Sequence, residues 1–135
     1  MIAHLVQHPH DLTSMNPRRF EELVAELLSR HGIGVDLTEP TKDGGRDILA
    51  WADTAAGRHL YLVECKRCGQ DNPVGVALVR ALYCVVSSEN ATGGLLVTTS
   101  WFTRGAREFQ ASVQNRLWLR DYDGVVGWLK EARAI

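Results

Sequence analysis

The nine residues from Arg58 to Lys66, Arg-His-Leu-Tyr-Leu-Val-Glu-Cys-Lys, decide the predicted fold. Side chains alternate between the two faces of a β-strand, so this pattern predicts a strand that is apolar on both faces before it ends in Glu64 and Lys66. Those two side chains share one face, about 7 Å apart, and Cys65 points to the other face. Unpaired charge in a protein interior is costly. An acid and a base at the end of a buried strand are therefore candidates for a functional role. The stretch therefore predicts a central strand with a candidate functional cluster at its end.

A second predicted strand, residues 46–52, precedes this one and is joined to it by residues 53–57. If the turn is centred between Ala55 and Ala56, Asp47 falls directly opposite Glu64, with the two Cβ atoms about 5 Å apart. A slip of one residue would place Asp47 on the wrong face of the sheet. The same register pairs apolar residues with apolar residues: Leu49 with Leu62, Trp51 with Leu60, and Ile48 with Val63.

Two carboxylates at that distance repel each other, which raises a pKa and destabilises the site unless a cation joins them. An incomplete set of hard oxygen ligands suits Mg²⁺, or Mn²⁺ as its substitute, because such an ion keeps several waters and accepts phosphate oxygens. Lys66 could position or deprotonate an attacking water, or neutralise charge on a phosphate. The pattern indicates phosphodiester chemistry, and a salt-bridge cluster of Asp47, Glu64 and Lys66 is the alternative interpretation.

The first long helix is predicted to begin at Asn16-Pro17 and to end at Gly32. On a helical wheel Glu21 lies at the border of the apolar stripe, so it is the helix acid that could reach an interior site; a solvated position on the helix flank is the alternative. The stripe itself follows helical spacing: Phe20, Leu23, Val24, Leu27 and Leu28.

The remaining elements complete a single α/β domain over residues 1–135, with the order α-β-β-β-α-β-α-β-α and a mixed sheet flanked by helices. Residues 1–14 are interpreted as a short, mobile leader. His4, His8 and His10 lie there with the residue type of a metal site, but Pro9 interrupts their helical spacing. The other predicted elements are strands at 33–38, 95–99 and 117–120, and helices at 74–86, 103–113 and 125–133.

Composition limits the possible partners. Lys and Arg number 15 and Asp and Glu 16, which gives a formal net charge of -1. Contact with nucleic acid must therefore come from a local basic cluster or a bound cation. The candidate phosphate contacts are four arginines: Arg67, Arg80, Arg104 and Arg107.

Cysteine use and hydropathy bear on location. Three cysteines are an odd number without metal-site spacing, and no apolar run approaches the roughly 20 residues that span a bilayer. We expect a reducing cytoplasm and no membrane span.

Five ordered blocks of the sequence resemble the Mrr-like catalytic domain of the PD-(D/E)xK nuclease superfamily, over nearly the whole chain. The blocks are Asn16-Pro-Arg-Arg-Phe-Glu-Glu-Leu-Val-Ala-Glu-Leu-Leu28, Asp43-Gly-Gly-Arg-Asp47-Ile48, Val63-Glu-Cys-Lys-Arg67, Val74-Gly-Val76 with Val79-Arg-Ala-Leu82, and Gly94-Leu-Leu-Val-Thr-Thr-Ser-Trp-Phe-Thr103.

This resemblance implies the restriction-endonuclease-like fold and Mg²⁺-dependent cleavage of DNA. Residue by residue, it implies that Asp47 and Glu64 bind the metal, that Lys66 is the catalytic lysine and that Glu21 is a supporting acid. The backbone carbonyl of Cys65 would be the further metal ligand.

The resemblance also implies a role in defence against foreign or modified DNA. Cutting both strands of a duplex needs two active sites, so we expect a homodimer or a larger assembly. Many Mrr-like proteins carry a separate DNA-recognition or motor region, for which this chain has no room, so a separate partner could supply it. The alternatives are a non-catalytic module that binds nucleic acid or protein, and a nuclease directed at junctions or RNA.

Overall fold

The computed structural model describes residues 1–38 and 47–134, and in them helices cover both faces of a mixed sheet. The α/β class is confirmed, and so is the predicted order from the first long helix onward. In chain order the elements are α1 (Ile2–Gln7), a 3-10 helix (Pro9–Ser14), α2 (Pro17–Arg30), β1 (Gly34–Leu37), β2 (Ile48–Thr54), β3 (Gly57–Lys66), α3 (Val76–Ser88), β4 (Gly93–Thr98), α4 (Arg104–Ser112), β5 (Leu117–Arg120) and α5 (Tyr122–Ala134).

The strands of the described residues lie in the order β1-β2-β3-β4-β5, with β3 at the centre. β2 pairs antiparallel with β3, and Ile48 lies opposite Val63, so the predicted register of the hairpin is confirmed. β4 and β5 add in parallel on the other side of β3. The predicted first residue of β2, Arg46, lies outside the described residues.

Two apolar layers cover the two faces of the sheet. α2 and α5 pack on the face that carries Ile48 and Val63. α3 and α4 pack on the opposite face, which carries Leu62 and Leu96. Because Leu62 and Val63 belong to different layers, the alternation predicted for β3 is confirmed.

Residues 1–14 differ from the mobile leader that the sequence predicts. Here α1 and the 3-10 helix bury Leu5 and Leu12 in the first layer, at 3% and 0% exposure. Pro9, whose position argues against a continuous helix, instead lies at the start of the 3-10 helix. Two isolated leucines make too short a pattern for hydrophobic periodicity to identify, which explains why the sequence alone did not predict this packing.

Two helix starts also differ from prediction. The chain at Val74 forms a parallel bridge with Phe102, so α3 begins at Val76. α5 begins at Tyr122 and not at residue 125. The Asn16 side chain caps α2 and the Thr103 side chain caps α4. Within residues 1–38 and 47–134, the helices are too short or too polar to cross a membrane.

Candidate active site

Asp47 comes immediately before β2, and hydrogen bonds fix its position. Its N–H donates to the carbonyl of Val63 at 2.7 Å, and its carbonyl accepts from the N–H of Thr38 at 2.9 Å. One oxygen of its carboxylate, Oδ2, accepts from the N–H of Cys65 at 2.7 Å. β2 begins with Ile48 opposite Val63, so Asp47 adjoins the end of β3 that carries Glu64. The carboxylate is thus held against the backbone of β3 next to Glu64.

Glu64 and Lys66 lie at the end of β3, where Glu64 is partly buried and Lys66 is exposed. Burial raises the pKa of Glu64, the negative charge of Asp47 raises it further, and the positive charge of Lys66 opposes the rise. Burial also raises the pKa of Asp47. The hydrogen bond from the Cys65 N–H and the positive charges of Arg18 and Lys66 oppose this rise. The structure therefore brings the predicted acid, acid and lysine into one electrostatically coupled cluster.

Glu21, in the second turn of α2, lies close enough to Asp47 to feel its charge. Its side chain is 17% exposed and pairs with Arg18 at 2.9 Å. The pKa of Glu21 is raised by burial and by the charge of Asp47, while the hydrogen bond from Arg18 opposes the rise. The border position predicted for Glu21 on the helical wheel therefore brings it within electrostatic reach of Asp47.

Cys65 lies where the three acids meet. Burial raises the pKa of its thiol well above the usual value, and the charges of Asp47, Glu21 and Glu64 add to the effect. A thiol held neutral in this way is a packing group and not a nucleophile. Its backbone carbonyl is a further oxygen next to Glu64.

Arg18 is a residue of the site that the sequence analysis missed. Its guanidinium donates to the Glu21 carboxylate at 2.9 Å and to the Thr38 carbonyl at 2.8 Å. Thr38 in turn donates its N–H and its hydroxyl to the Asp47 carbonyl. Arg18 thereby joins α2 to the segment that holds Asp47. The i,i+3 spacing of Arg18 and Glu21 was the available signal, but many surface pairs show it.

The chain just beyond Lys66 is fixed by two buried threonines at the end of β4. The Thr98 hydroxyl donates to the carbonyl of Lys66 at 2.7 Å. The Thr99 hydroxyl donates to the carbonyl of Cys68 at 2.6 Å and accepts from its N–H at 2.9 Å. Both threonines are fully buried. They hold the end of β3 in place.

The donor set fits Mg²⁺ or Mn²⁺. Within residues 1–38 and 47–134, no three His, Cys, Asp or Glu side chains are grouped as metal ligands. Mg²⁺ is commonly held by only one or two carboxylates, with waters and substrate phosphates as the other ligands. Asp47 and Glu64 can supply those carboxylates. Among the described residues, the Glu64 carboxylate has no hydrogen bond or ion pair. A cation would relieve the repulsion that raises its pKa.

The other candidates lie away from the acids or have partners of their own. His4 pairs with Asp11 at 2.7 Å and its ring lies 4.8 Å from that of His8. Arg67 follows the cluster directly in sequence, but its Nη1 donates to the Thr13 carbonyl at 2.9 Å. Three predicted arginines lie on α3 and α4: Arg80 over the Phe109 ring at 5.4 Å, Arg104 paired with Glu108 at 3.2 Å, and Arg107 paired with Asp121 at 3.2 Å.

A mixed sheet whose central antiparallel strands carry two acids and a lysine is typical of the restriction-endonuclease-like class. Residues 12–129 match the restriction endonuclease family in its Mrr-type catalytic form. The chain belongs to that family.

Two relatives of known sequence are considerably longer than this chain. It is 34% identical over 109 residues to the type IV methyl-directed restriction enzyme EcoKMrr of Escherichia coli, covering 77% of this chain and 35% of the relative. It is 30% identical over 123 residues to the uncharacterized protein y4cE of Sinorhizobium fredii, covering 90% of this chain and 32% of the relative. The chain thus spans about a third of the length of these relatives.

Solved structures agree with the fold. The DNA modification-dependent restriction endonuclease AspBHI superposes with a TM-score of 0.76 at 27% identity, over 98% of this chain and 35% of AspBHI. The MspJI restriction endonuclease, solved in complex with a 27-mer oligonucleotide, superposes with a TM-score of 0.74 at 19% identity, over 98% of this chain and 31% of MspJI. The restriction-endonuclease-like fold predicted from the sequence is confirmed.

Proposed function

We propose that this chain is a metal-dependent endodeoxyribonuclease that hydrolyses DNA phosphodiester bonds. The observation that carries the proposal is the coupled cluster of Asp47, Glu64 and Lys66 at the end of the central hairpin, in a chain of the restriction endonuclease family. Burial raises the pKa of both carboxylates, and a bound cation would offset the cost of their negative charge.

Each residue has a distinct role in the proposal. Asp47, Glu64 and the Cys65 carbonyl hold Mg²⁺ or Mn²⁺, which when bound would activate a water and neutralise charge on the phosphate. Lys66 orients or deprotonates the attacking water and offsets the charge that develops on the phosphate. Glu21 supports the metal site from α2, with its carboxylate held by Arg18.

The substrate we propose is DNA that carries modified bases, and the role is defence against such DNA. Two relatives support this assignment, because EcoKMrr is methyl-directed and AspBHI is dependent on DNA modification. A separate region or partner would recognise the modification, since these relatives are about three times as long. The exposed arginines Arg80, Arg104 and Arg107 and the site-proximal Arg67 are the candidate phosphate contacts. We also propose a cytoplasmic location, in line with three unpaired cysteines.

The direct test is nicking of supercoiled plasmid, methylated and unmethylated, in Mg²⁺, in Mn²⁺ and in EDTA. Lys66→Ala should slow nicking by about 10²–10⁴-fold, the usual contribution of a proton-transfer group. Asp53→Asn is the matched control, because Asp53 lies on the same hairpin but is 69% exposed and pairs with Arg58. Nicking that persists in EDTA or in Lys66→Ala would contradict the proposal. DNA affinity that is equal in EDTA and Mg²⁺, without nicking, would instead favour a non-catalytic binding module.

A further inference from the structure

A separate cavity of about 330 Å³ opens on the face of the sheet opposite Glu64 and Lys66. Tyr61 and Val63 form part of its floor, and they point away from the face that carries Glu64 and Lys66. The volume lies within the range of small-ligand pockets, which is about 300–1,000 Å³. The nuclease proposal makes no use of this cavity.

The walls of the cavity are aromatic. Trp118 and Trp128 line it together with Tyr61. The rings of Tyr61 and Trp118 meet edge to face with centroids 5.9 Å apart. Trp118 is 41% exposed, which leaves a large flat apolar surface open to solvent. A planar ring placed in the cavity would cover that surface.

Arg120 supplies a cationic donor in the same cavity. Its guanidinium lies 4.6 Å from the centroid of the Trp128 ring, a stacking contact that holds it in place. Its Nε is buried and has no hydrogen-bond partner among the described residues. Within residues 1–38 and 47–134 it also has no carboxylate at ion-pair distance. A buried donor without a partner is costly, and the guanidinium that carries it lines the cavity, where an anion would balance its charge.

Two glycines leave room for the side chains of Trp118 and Arg120. A Cβ at Gly93 would lie 2.5 Å from the Trp118 ring. A Cβ at Gly124, within α5, would overlap the Arg120 side chain. Glycine is a poor helix former, so its presence in the first turn of α5 is explained by the space that Arg120 needs. The side chains of Trp118 and Arg120 therefore occupy space that the absence of a Cβ at Gly93 and Gly124 leaves open.

We propose that this cavity binds a nucleotide, with the nucleobase against Trp118 and Tyr61 and the phosphate on Arg120. Every nucleobase offers a flat face for stacking, and the guanidinium fork matches phosphate oxygens. The shared chemistry is a planar ring joined to an anion. Its source is either a free nucleotide or an unpaired nucleotide of a DNA strand.

The test is titration of the whole chain with dAMP in EDTA, followed by tryptophan fluorescence and calorimetry. The variants are Arg120→Gln and Trp118→Ala, with Arg58→Gln as the matched control, since Arg58 is 67% exposed and pairs with Asp53. Arg120→Gln should weaken dAMP about ten- to hundredfold and leave deoxyadenosine unaffected. Trp118→Ala should weaken both about tenfold or more. Because Trp118 is already half exposed, this variant should fold, which thermal melting would verify.

Two further titrations show whether the bound nucleotide is free or part of a DNA strand, and whether its binding is independent of the nuclease site. An oligonucleotide (dA)₆ that binds more tightly than dAMP, with the same dependence on Arg120, assigns the site to a DNA strand; binding of dAMP alone assigns it to a free nucleotide. Asp47→Asn should bind dAMP like wild type, because Asp47 does not line the cavity. The dAMP result is therefore independent of whether the chain is a nuclease. The proposal is overturned by absence of saturable binding, or by dAMP binding that Arg120→Gln and Trp118→Ala leave unchanged. Self-association that depends on Trp118, without nucleotide binding, would also overturn it.

Discussion

Glu64 shows at the scale of one residue how a partly buried acid of the candidate site costs stability. Its pKa is raised in the folded chain, so the native state holds a proton more tightly than the unfolded chain does. The free energy of unfolding therefore falls as the pH rises from the unfolded value, 4.5, through the raised folded value, and stays lower above it. At neutral pH the charged Glu64 is destabilising unless a cation is bound.

Glu64→Gln should consequently stabilise the metal-free protein while it abolishes nicking. The gain should be up to about 1 kcal/mol, because Glu64 is only partly buried and water screens its charge. Thermal melting in EDTA at pH 7.5 measures the gain. The gain should shrink in melts at pH 4, where wild-type Glu64 is protonated. A variant that is less stable than wild type at both pH values would contradict this account of the site.

Arg18 should set the pH range in which the site works. Its charge lowers the pKa of Asp47 and of Glu21. Arg18→Met should therefore raise both pKa values, and because metal binds only the ionised carboxylates, the acid limb of Mn²⁺ affinity and of nicking should move to higher pH. Calorimetric titrations of Mn²⁺ between pH 5 and pH 8 measure this shift.

Arg19→Met is the matched control for that experiment. Arg19 is the next residue on α2, but its side chain is 63% exposed and its partner is Glu22 at 3.8 Å. Its removal should leave the acid limb in place. Equal shifts in the two variants would show that general charge, and not the Arg18 contact, is responsible.

The residues of the site divide into those that the sequence predicts and those that it does not. The alternation of β3 and the pairing of apolar residues across the hairpin were sufficient to place Asp47 beside Glu64. Arg18 acts through a hydrogen bond to the backbone carbonyl of Thr38 on a distant segment. Such contacts leave no periodic pattern, so only the folded chain shows them.

At the scale of elements, the N-terminal segment, residues 1–14, differs most from the structure that the sequence predicts. α1 and the 3-10 helix bury Leu5 and Leu12, and Thr13 accepts a hydrogen bond from Arg67, the residue after Lys66. The segment therefore stabilises both the first apolar layer and the chain next to Lys66. The longer helices and the strands are predictable from the sequence because their hydrophobic patterns extend over several turns or residue pairs. The packing of residues 1–14 is not, because two leucines are its only signal.

Leu12→Ala should destabilise the protein by about 2–5 kcal/mol, the usual cost of removing a fully buried leucine side chain. Urea denaturation measures the loss. Gln7→Ala is the control, because Gln7 is exposed on α1. A Leu12→Ala variant within 0.5 kcal/mol of wild type, roughly the effect of a surface substitution, would show that the segment is not packed in solution.

At the scale of the whole molecule, one chain carries one acidic cluster among its described residues, whereas a double-strand break needs two cuts. We predict that two copies act together on a duplex. Plasmid cleavage should then give linear product early and rise more steeply than linearly with protein concentration, and light scattering with DNA should detect the dimer. Accumulation of nicked circles at all protein concentrations, with only monomer detected, would instead indicate a nickase that acts as one copy.

The proposed nuclease activity depends above all on metal binding by Asp47 and Glu64. The most direct measurement is calorimetric titration of Mn²⁺ into wild type and Asp47→Asn, with plasmid nicking assayed on the same samples. Asn can still accept the Cys65 hydrogen bond, so the variant should fold like wild type. We expect Mn²⁺ binding and nicking to be lost together, nicking by about 100-fold or more. Unchanged metal binding and nicking in Asp47→Asn would contradict this expectation.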